Sequence, residues 1–273
     1  MTLIRSLQNP RVKNAVRLRE RRHRSKQGRI LIDGARELGR AIGAGVELIE
    51  VFVCEPLCDT PEAKQVLADL HDHPADVIQV TESVFAKLAF GDRAEGVLGV
   101  ASPPSAELDN LSLPQDPLVV VLEGVEKPGN LGAVLRSADA AGASAVILAD
   151  PCCDLFNPNA IRASLGTIFT TPVASAGTDE ALDWLALRGL NVYAARVDGA
   201  VPYTDVDFRR PAAVVLGSEA RGLSGAWTTE LVTPISLPML GVADSLNVSA
   251  TAAVLVYEAL RQRTAEVEGV AGA

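Results

Sequence analysis

The chain has 273 residues, 48% of them hydrophobic and 4% aromatic, and a formal charge of −9. This is enough to bury a core in one large or two modest domains, and a net acidic chain does not coat nucleic acid indiscriminately. No signal-like N-terminal run and no apolar segment of bilayer length is present, which sets membrane-spanning classes aside and predicts a cytoplasmic protein. Ten basic residues precede Ile30 (Arg5, Arg11, Lys13, Arg17, Arg19, Arg21, Arg22, Arg24, Lys26 and Arg29) against one acid, Glu20. That imbalance is the electrostatic signature of phosphate contacts. The spacing predicts a basic helix from Asn9 to Lys26 with Val12, Ala15, Val16 and Leu18 on its apolar side, ended by Gly28. A strand at Arg29–Ile32 follows, then a helix at Ala35–Ile42 and a strand at Val46–Cys54. Thr60-Pro61 opens a helix towards His71. A strand at Val77–Val80, a helix at Glu82–Leu88 and a strand at Val97–Ala101 complete a small α/β domain over residues 1–102. Residues 103–117, bracketed by Pro103-Pro104 and Pro114…Pro117, read as a linker.

The second domain, 118–273, begins with Leu118–Leu122, an unbroken apolar strand of the kind found in covered parallel sheets. A glycine-containing loop and a helix to Ala141 follow, then a strand at Ala145–Ala149. Asn157-Pro158 starts a helix to Gly166, and Thr178 caps another that ends at Gly189. Strands at Asn191–Ala195 and Ala212–Leu216 precede a helix near Ser224. The last stretch, Ile235 to Glu258, reads as strand, loop and helix, with Pro238 closing the strand and Ser245 or Asn247 as cap. From Val248 to Leu255 nearly every residue is apolar or small, so this helix is expected to be packed on all sides. The polar cluster Ser245, Asn247, Ser249 and Thr251 at its entrance fits either backbone capping or a ligand-facing role.

A strand, a glycine loop and a helix start together offer backbone N–H groups to an anion. Neither G-x-G-x-x-G nor the phosphate-loop pattern occurs here, which counts against a nucleotide-dependent oxidoreductase. What occurs instead is Asn130-Leu131-Gly132-Ala133-Val134-Leu135-Arg136. A fixed guanidinium suits a phosphate or carboxylate, though taken alone a pairing of Arg136 with Asp139 or Glu219 is the simpler reading. After Val214-Val215-Leu216 stands Gly217-Ser218-Glu219-Ala220-Arg221-Gly222-Leu223, with a carboxylate where open α/β sheets place their sites. Glu219 could equally pair with Arg221. The four cysteines (Cys54, Cys58, Cys152, Cys153) and three histidines (His23, His71, His73) lack metal-site spacing, so no metal is expected.

The three loops together, Asn130-x-Gly132-x-x-x-Arg136, Gly217-Ser218-Glu219-x-x-Gly222-Leu223 and Leu237-Pro238-Met239…Ser245-Leu246-Asn247-Val248-Ser249, resemble in order the three motifs of the SpoU/TrmH family. Members of this SPOUT-class family are S-adenosylmethionine-dependent RNA ribose 2′-O-methyltransferases. The resemblance covers Leu118 to about Arg261, and the rRNA enzymes, the thiostrepton-resistance type among them, are the nearest in pattern. Ser6-Leu7-Gln8-Asn9-Pro10-Arg11-Val12-Lys13 and Gly96-Val97-Leu98 resemble the L30e-like substrate-binding domain that many members carry. The resemblance implies a C-terminal SPOUT domain with a mostly parallel sheet and a deep trefoil knot, preceded by the small L30e-like α/β domain. It also implies a homodimer with the knot region at its interface.

Carried onto this chain, the family's cofactor pocket implicates Gly217, Leu237 and Leu246, with Leu216 and Met239 beside them. Arg136 matches the catalytic arginine. Asn130, Glu219, Ser245 and Asn247 match residues that arrange it and the substrate. Arg162, Arg11, Lys13 and Arg22 are expected to meet RNA, and Arg162 could also support the cofactor pocket. Methyl transfer from a sulfonium has a neutral leaving group, so it asks for position and loss of one proton rather than a metal. The expected substrate is 23S rRNA, with a tRNA 2′-O-methyltransferase or a non-catalytic RNA binder on the same fold as alternatives. Lys127-Pro128-Gly129 departs from the Asp-Pro-His of many members, Ala220 from the usual glycine and Asp33 from a common glutamate, which bears on substrate choice more than on cofactor use.

Overall fold

The computed structural model describes residues 3–90 and 94–271, the side chains of 266–271 excepted. The chain forms two compact units. One runs to Pro104 and takes in Phe156–Thr170; the other comprises Ser105–Leu155 and the chain from Thr171.

The first unit contains β1 (Leu3–Ile4), α1 (Pro10–Arg17), α2 (Arg21–Gln27), β2 (Ile30–Asp33), α3 (Ala35–Gly43), β3 (Leu48–Val53), α4 (Pro61–Asp69), β4 (Asp76–Val80), α5 (Glu82–Leu88) and β5 (Val97–Ala101). Its sheet has the order β1-β4-β3-β5-β2. The first three of these strands run parallel, and β5 is antiparallel to both its neighbours. Val12, Ala15 and Leu18 of the basic segment pack with Leu31, Phe52, Phe85 and Leu98 in its core.

The single basic helix expected from Asn9 to Lys26 is instead two. Asn9 caps α1 through the Arg11 N–H at 2.9 Å, and α1 stops at Arg17. The buried Arg24 explains the break: its Nη1 donates at 2.8 Å to the carbonyls of both Leu18 and Arg19. These are the groups a helix end leaves without partners. Arg19 in turn donates to the carbonyls of Lys87, Leu88 and Ala89 at the end of α5. A cation is favourable there because of the helix dipole. Part of the N-terminal positive charge is therefore structural.

The second unit contains β6 (Leu118–Glu123), α6 (Pro128–Ala140) and β7 (Ala145–Ala149). After the excursion through α7 (Pro158–Ala163) it resumes with β8 (Val173–Ala176), α8 (Thr178–Leu187), β9 (Asn191–Ala195), β10 (Val201–Pro202), β11 (Ala212–Leu216), β12 (Val232–Ser236) and α9 (Val248–Ala271). The sheet order is β10-β12-β9-β11-β6-β7-β8, and every pairing in it is parallel. The chain leaves β6 for β7 on one side and later places β11 on the other. A crevice therefore opens beyond the carboxyl ends of β6 and β11, where ligands enter open α/β sheets. Strands β6, β7 and β11 are buried at every residue, which is what their continuous apolar runs predict.

Two expectations need correction. The stretch 103–117 is no free linker: Leu108 and Leu111, one 3-10 turn apart, are buried with Val119, Ile147 and Trp184 in the second core. The Ala106 carbonyl also accepts the Ser175 N–H at 2.8 Å. Helix α9 is not packed on all sides of this chain either. Ala252, Leu255, Val256 and Ala259 are buried, whereas Ala250, Val254 and Tyr257 are exposed. Small apolar residues allow burial on any face, but only one face meets the unit's own core.

Helix α7 belongs to the first unit, where Arg162 Nη1 lies 3.7 Å from Asp33 Oδ2 at the end of β2. Burial pushes the Asp33 carboxyl up to about 6, against the Phe90 N–H and Arg162, which favour the charged form. Folding thus binds the Asp33 proton more tightly. The resulting stability is complete below about pH 4 and is lost as pH rises through about 6. Relative to Asp33→Asn, wild-type unfolding free energy in urea is expected to fall by up to about 3 kcal/mol between those limits. Parallel pH curves for the two proteins would place Asp33 in the ordinary carboxylate range.

Candidate active site

Three loops at the carboxyl ends of β6, β11 and β12 approach one another. The first turns at Gly124 and enters α6 at Pro128, a residue suited to the first helical position because it has no N–H to satisfy. Asn130 stands in that first turn. The second loop is a tight hairpin: Ser218 N–H donates to Gly222 O at 3.1 Å, Gly222 N–H returns to Ser218 O at 2.9 Å, and Arg221 N–H reaches Ser218 Oγ at 3.1 Å. It is tied down from below by Glu123. One carboxylate oxygen of Glu123 accepts Ser224 N–H at 2.7 Å, and the other accepts the hydroxyls of Ser224 at 2.6 Å and Thr178 at 3.1 Å. The third loop runs from Leu237 to Asn247, which caps α9.

Glu219 gathers the three. Its Oε1 accepts Asn130 Nδ2 at 2.5 Å and Asn247 Nδ2 at 2.6 Å, and its Oε2 accepts Lys127 Nζ at 2.5 Å. The Lys127 contact, with help from Asn130, holds the Glu219 carboxyl below the usual carboxylate range. Reciprocally, Glu219 raises Lys127 above the usual lysine value. Asn247 Oδ1 is occupied by Ser249 N–H at 2.9 Å and Ser249 Oγ at 2.6 Å. Asn130 Oδ1 receives only a long 3.5 Å contact from Asn247. It is the acceptor of this cluster least engaged by the chain itself.

Beside the cluster lies a cavity of about 980 Å³. Leu216, Gly217, Leu237, Met239 and Leu246, the residues expected around a cofactor, all line it, as do Glu219, Ser245 and Asn247. Its far wall is the segment Ala195–Asp198, where Arg196 holds Asp198 through two bonds of 2.8 and 2.9 Å. The volume and mixed lining suit an amphipathic small molecule. Among the described residues no group of three His, Cys, Asp or Glu side chains is placed to hold a metal ion.

Not every expected residue joins. Arg136 is exposed on α6 and, among the described residues, has no hydrogen-bond or ion-pair partner, so the pairings with Asp139 or Glu219 do not form. Six residues past Asn130, it points to a different face of the helix. Ser245 lines the cavity without a hydrogen bond among the described residues. Glu219 pairs with Lys127 and not with Arg221. Of the residues assigned to RNA, Arg11 is engaged by Glu50 at 2.9 Å and Asp76 at 2.6 Å, and Arg162 faces Asp33. Lys13 and Arg22 are exposed. The sequence reading missed Lys127 as a member of the cluster. The available signal was its position: a cation at a helix start opposes the dipole and calls for a nearby anion.

Residues 117–257 match the SpoU rRNA Methylase family, and residues 9–99 match an MRM3-like substrate binding domain. A 23S rRNA (uridine(2479)-2′-O)-methyltransferase of Streptomyces viridochromogenes is 32% identical over 86% of this chain and 76% of its own. A 23S rRNA (guanosine(2553)-2′-O)-methyltransferase of Bacillus subtilis is 28% identical over 94% of this chain and 98% of its own. Among solved structures, an RNA 2′-O ribose methyltransferase superimposes with a TM-score of 0.83 at 44% identity, covering 96% of this chain and 100% of the other. An AdoMet-bound rRNA methyltransferase from Sinorhizobium meliloti gives 0.85 at 29% identity, over 95% and 97% of the two chains.

Proposed function

The chain belongs to the SpoU rRNA methylase family, and on that premise we propose that it methylates a ribose 2′-hydroxyl of 23S rRNA with S-adenosylmethionine. The observation that carries the reading is the meeting of Asn130, Glu219 and Asn247, from three separate loops, beside a cavity that Glu219 and Asn247 line. The cavity's lining fits the cofactor. Leu216, Leu237, Met239 and Leu246 offer apolar surface, and Gly217 offers backbone groups beside them. When bound there, S-adenosylmethionine supplies an electrophilic methyl group on a sulfonium, which leaves as a neutral thioether.

The chain's own task is then to position the 2′-hydroxyl and to orient its O–H bond while the proton is lost to solvent water. Glu219 is held ionised by Lys127, and its bonds to Lys127, Asn130 and Asn247 make it the anchor of the cluster. Anchored in this way, Asn130 presents Oδ1 as an acceptor for the 2′-hydroxyl. Arg136, with no partner of its own among the described residues, is available for the phosphate next to the target ribose, a geometry guanidinium matches bidentately.

RNA is gripped by the first unit. With Arg11, Arg19 and Arg24 committed internally, the exposed cations are Arg5, Lys13, Arg17, Arg21, Arg22 and Lys26. Replacing Lys13, Arg17, Arg21 and Arg22 by serine is expected to weaken RNA binding and flatten the slope of log K against log salt by about 0.7–0.9 per lost contact. An unchanged slope in filter binding would make this face only a solvated surface.

We further propose a homodimer through the exposed apolar side of α9 (Ala250, Val254, Tyr257) and Leu240 and Val242 of the preceding loop. A patch of this kind marks an association surface. Sedimentation of the wild type as a monomer at micromolar concentration would remove the proposal. An rRNA substrate also puts the working protein in the cytoplasm, and among the described residues no helix is long and apolar enough to cross a membrane. The function is tested by incubating the protein with methyl-labelled cofactor and total RNA, then mapping bonds resistant to alkaline cleavage. Label in 23S rRNA at a resistant bond is expected. Label in tRNA alone would reassign the substrate, and binding without transfer would favour a non-catalytic binder.

A further inference from the structure

Lys127 occupies a place where a cation is ordinarily unwelcome. It is the cap residue of α6, whose first turn presents the positive end of the helix dipole, and no acidic residue stands in that turn. Lys127 makes no side-chain capping bond to the helix. Its Nζ reaches across to the second loop instead, 2.5 Å from Glu219 Oε2. Both amides sit on the other oxygen, Oε1. With Oε2 unheld, the carboxylate could turn about its axis and release one amide.

We propose that Lys127 is a positioning residue for methyl transfer: its ammonium fixes the Glu219 carboxylate so that one oxygen orients Asn130 and Asn247 together. The proposal rests on the reading of this cavity as the methyl-transfer site. Lys127 also lines the cavity, so the fixed carboxylate lies beside the place where the reacting groups meet. Arg196 and Asp198 after β9, Arg221 on the hairpin and Asp244 before α9 line the same cavity, and Glu123 at the end of β6 and Glu126 beside Lys127 line a small neighbouring pocket that Glu219 also borders. None of these is in an ion pair with Glu219 among the described residues. The direction of the Glu219 shift agrees, since its first cause is the Lys127 contact. A carboxylate so depressed keeps its acceptor role as pH falls until its own low pKa is reached. Removing Lys127 moves that point to higher pH.

The test compares wild type with Lys127→Met and Lys127→Arg. In Lys127→Met, kcat at neutral pH is expected to fall about tenfold, with KM for RNA within about twofold, the pattern of a group that acts on the transition state. The acid limb of the kcat–pH profile moves to higher pH, and Lys127→Arg restores most of the rate and the original limb. Independently of turnover, the ¹³C titration of the Glu219 carboxyl moves upward in Lys127→Met. An unchanged Glu219 titration overturns the proposal. So does a raised KM for RNA with kcat and acid limb unaltered, which would make Lys127 a phosphate contact. If the wild type transfers no methyl to any RNA, the reading of the cavity fails, and the carboxyl titration still decides whether Lys127 holds Glu219.

Discussion

Arg136→Ala is expected to lower methyl transfer by about 10²–10³-fold while leaving cofactor affinity within about twofold, since losing the guanidinium that orients the phosphate beside the target ribose misplaces the reacting hydroxyl. The structure makes the two readouts separable. Arg136 is exposed, has no hydrogen-bond or ion-pair partner among the described residues and does not line the cavity, so neither fold nor cofactor site depends on it. Truncating such a side chain changes stability by no more than about 0.5 kcal/mol. Single-turnover rates with labelled cofactor, calorimetric titration of S-adenosylhomocysteine and a thermal melt together decide the matter. Wild-type turnover in the variant would remove Arg136 from the mechanism. A lost melt or lost cofactor binding would show that its role is structural.

Gly217→Ala is expected to damage the cofactor site itself. A Cβ at this position would stand 2.2 Å from the Gly222 carbonyl carbon, 2.4 Å from its oxygen and 2.4 Å from Leu223 N. All three are backbone atoms. They cannot swing aside, because the Ser218–Gly222 pair and the Glu123–Ser224 bonds hold the hairpin shut. The hairpin must open, and with it Leu216, Gly217 and Ser218 leave the cavity wall. A hundredfold loss of S-adenosylhomocysteine affinity, corresponding to about 3 kcal/mol, is the expected scale. Gly225→Ala is the control, since a Cβ there meets nothing within 4 Å. Wild-type affinity in Gly217→Ala would mean that the cofactor does not use this wall.

Much of this architecture could be read before folding. Continuous apolar runs such as Leu118–Leu122 and Val214–Leu216 can only be interior strands of a covered sheet, and Asn157-Pro158 and Thr60-Pro61 open helices where they should. What escaped was short or depended on distant partners. Strands β1 and β10 have two residues each, too few for any periodicity to register. The break between α1 and α2 depends on Arg24 turning back onto carbonyls, which a helical wheel does not show. The three loop motifs were legible as a set through their resemblance, in order, to the SpoU/TrmH pattern, since each loop taken singly allowed a purely structural reading. The Lys127–Glu219 contact spans 92 positions, and only the folded chain brings those residues together. Periodicity likewise carries no information about chain crossings, so the knot rests on resemblance alone.

The first unit borrows Phe156–Thr170 from far along the chain. Asp33 meets Arg162, and Arg40 Nη1 donates to the Leu165 carbonyl at 2.8 Å, only once that stretch exists. On a translating ribosome, the leading hundred or so residues therefore emerge with a gap in their framework. At roughly 5–20 residues per second, several seconds pass before the missing helix is made. The leading unit must wait half-finished while the strands of its successor are already emerging, and a fragment cut at Pro104 never receives its last helix.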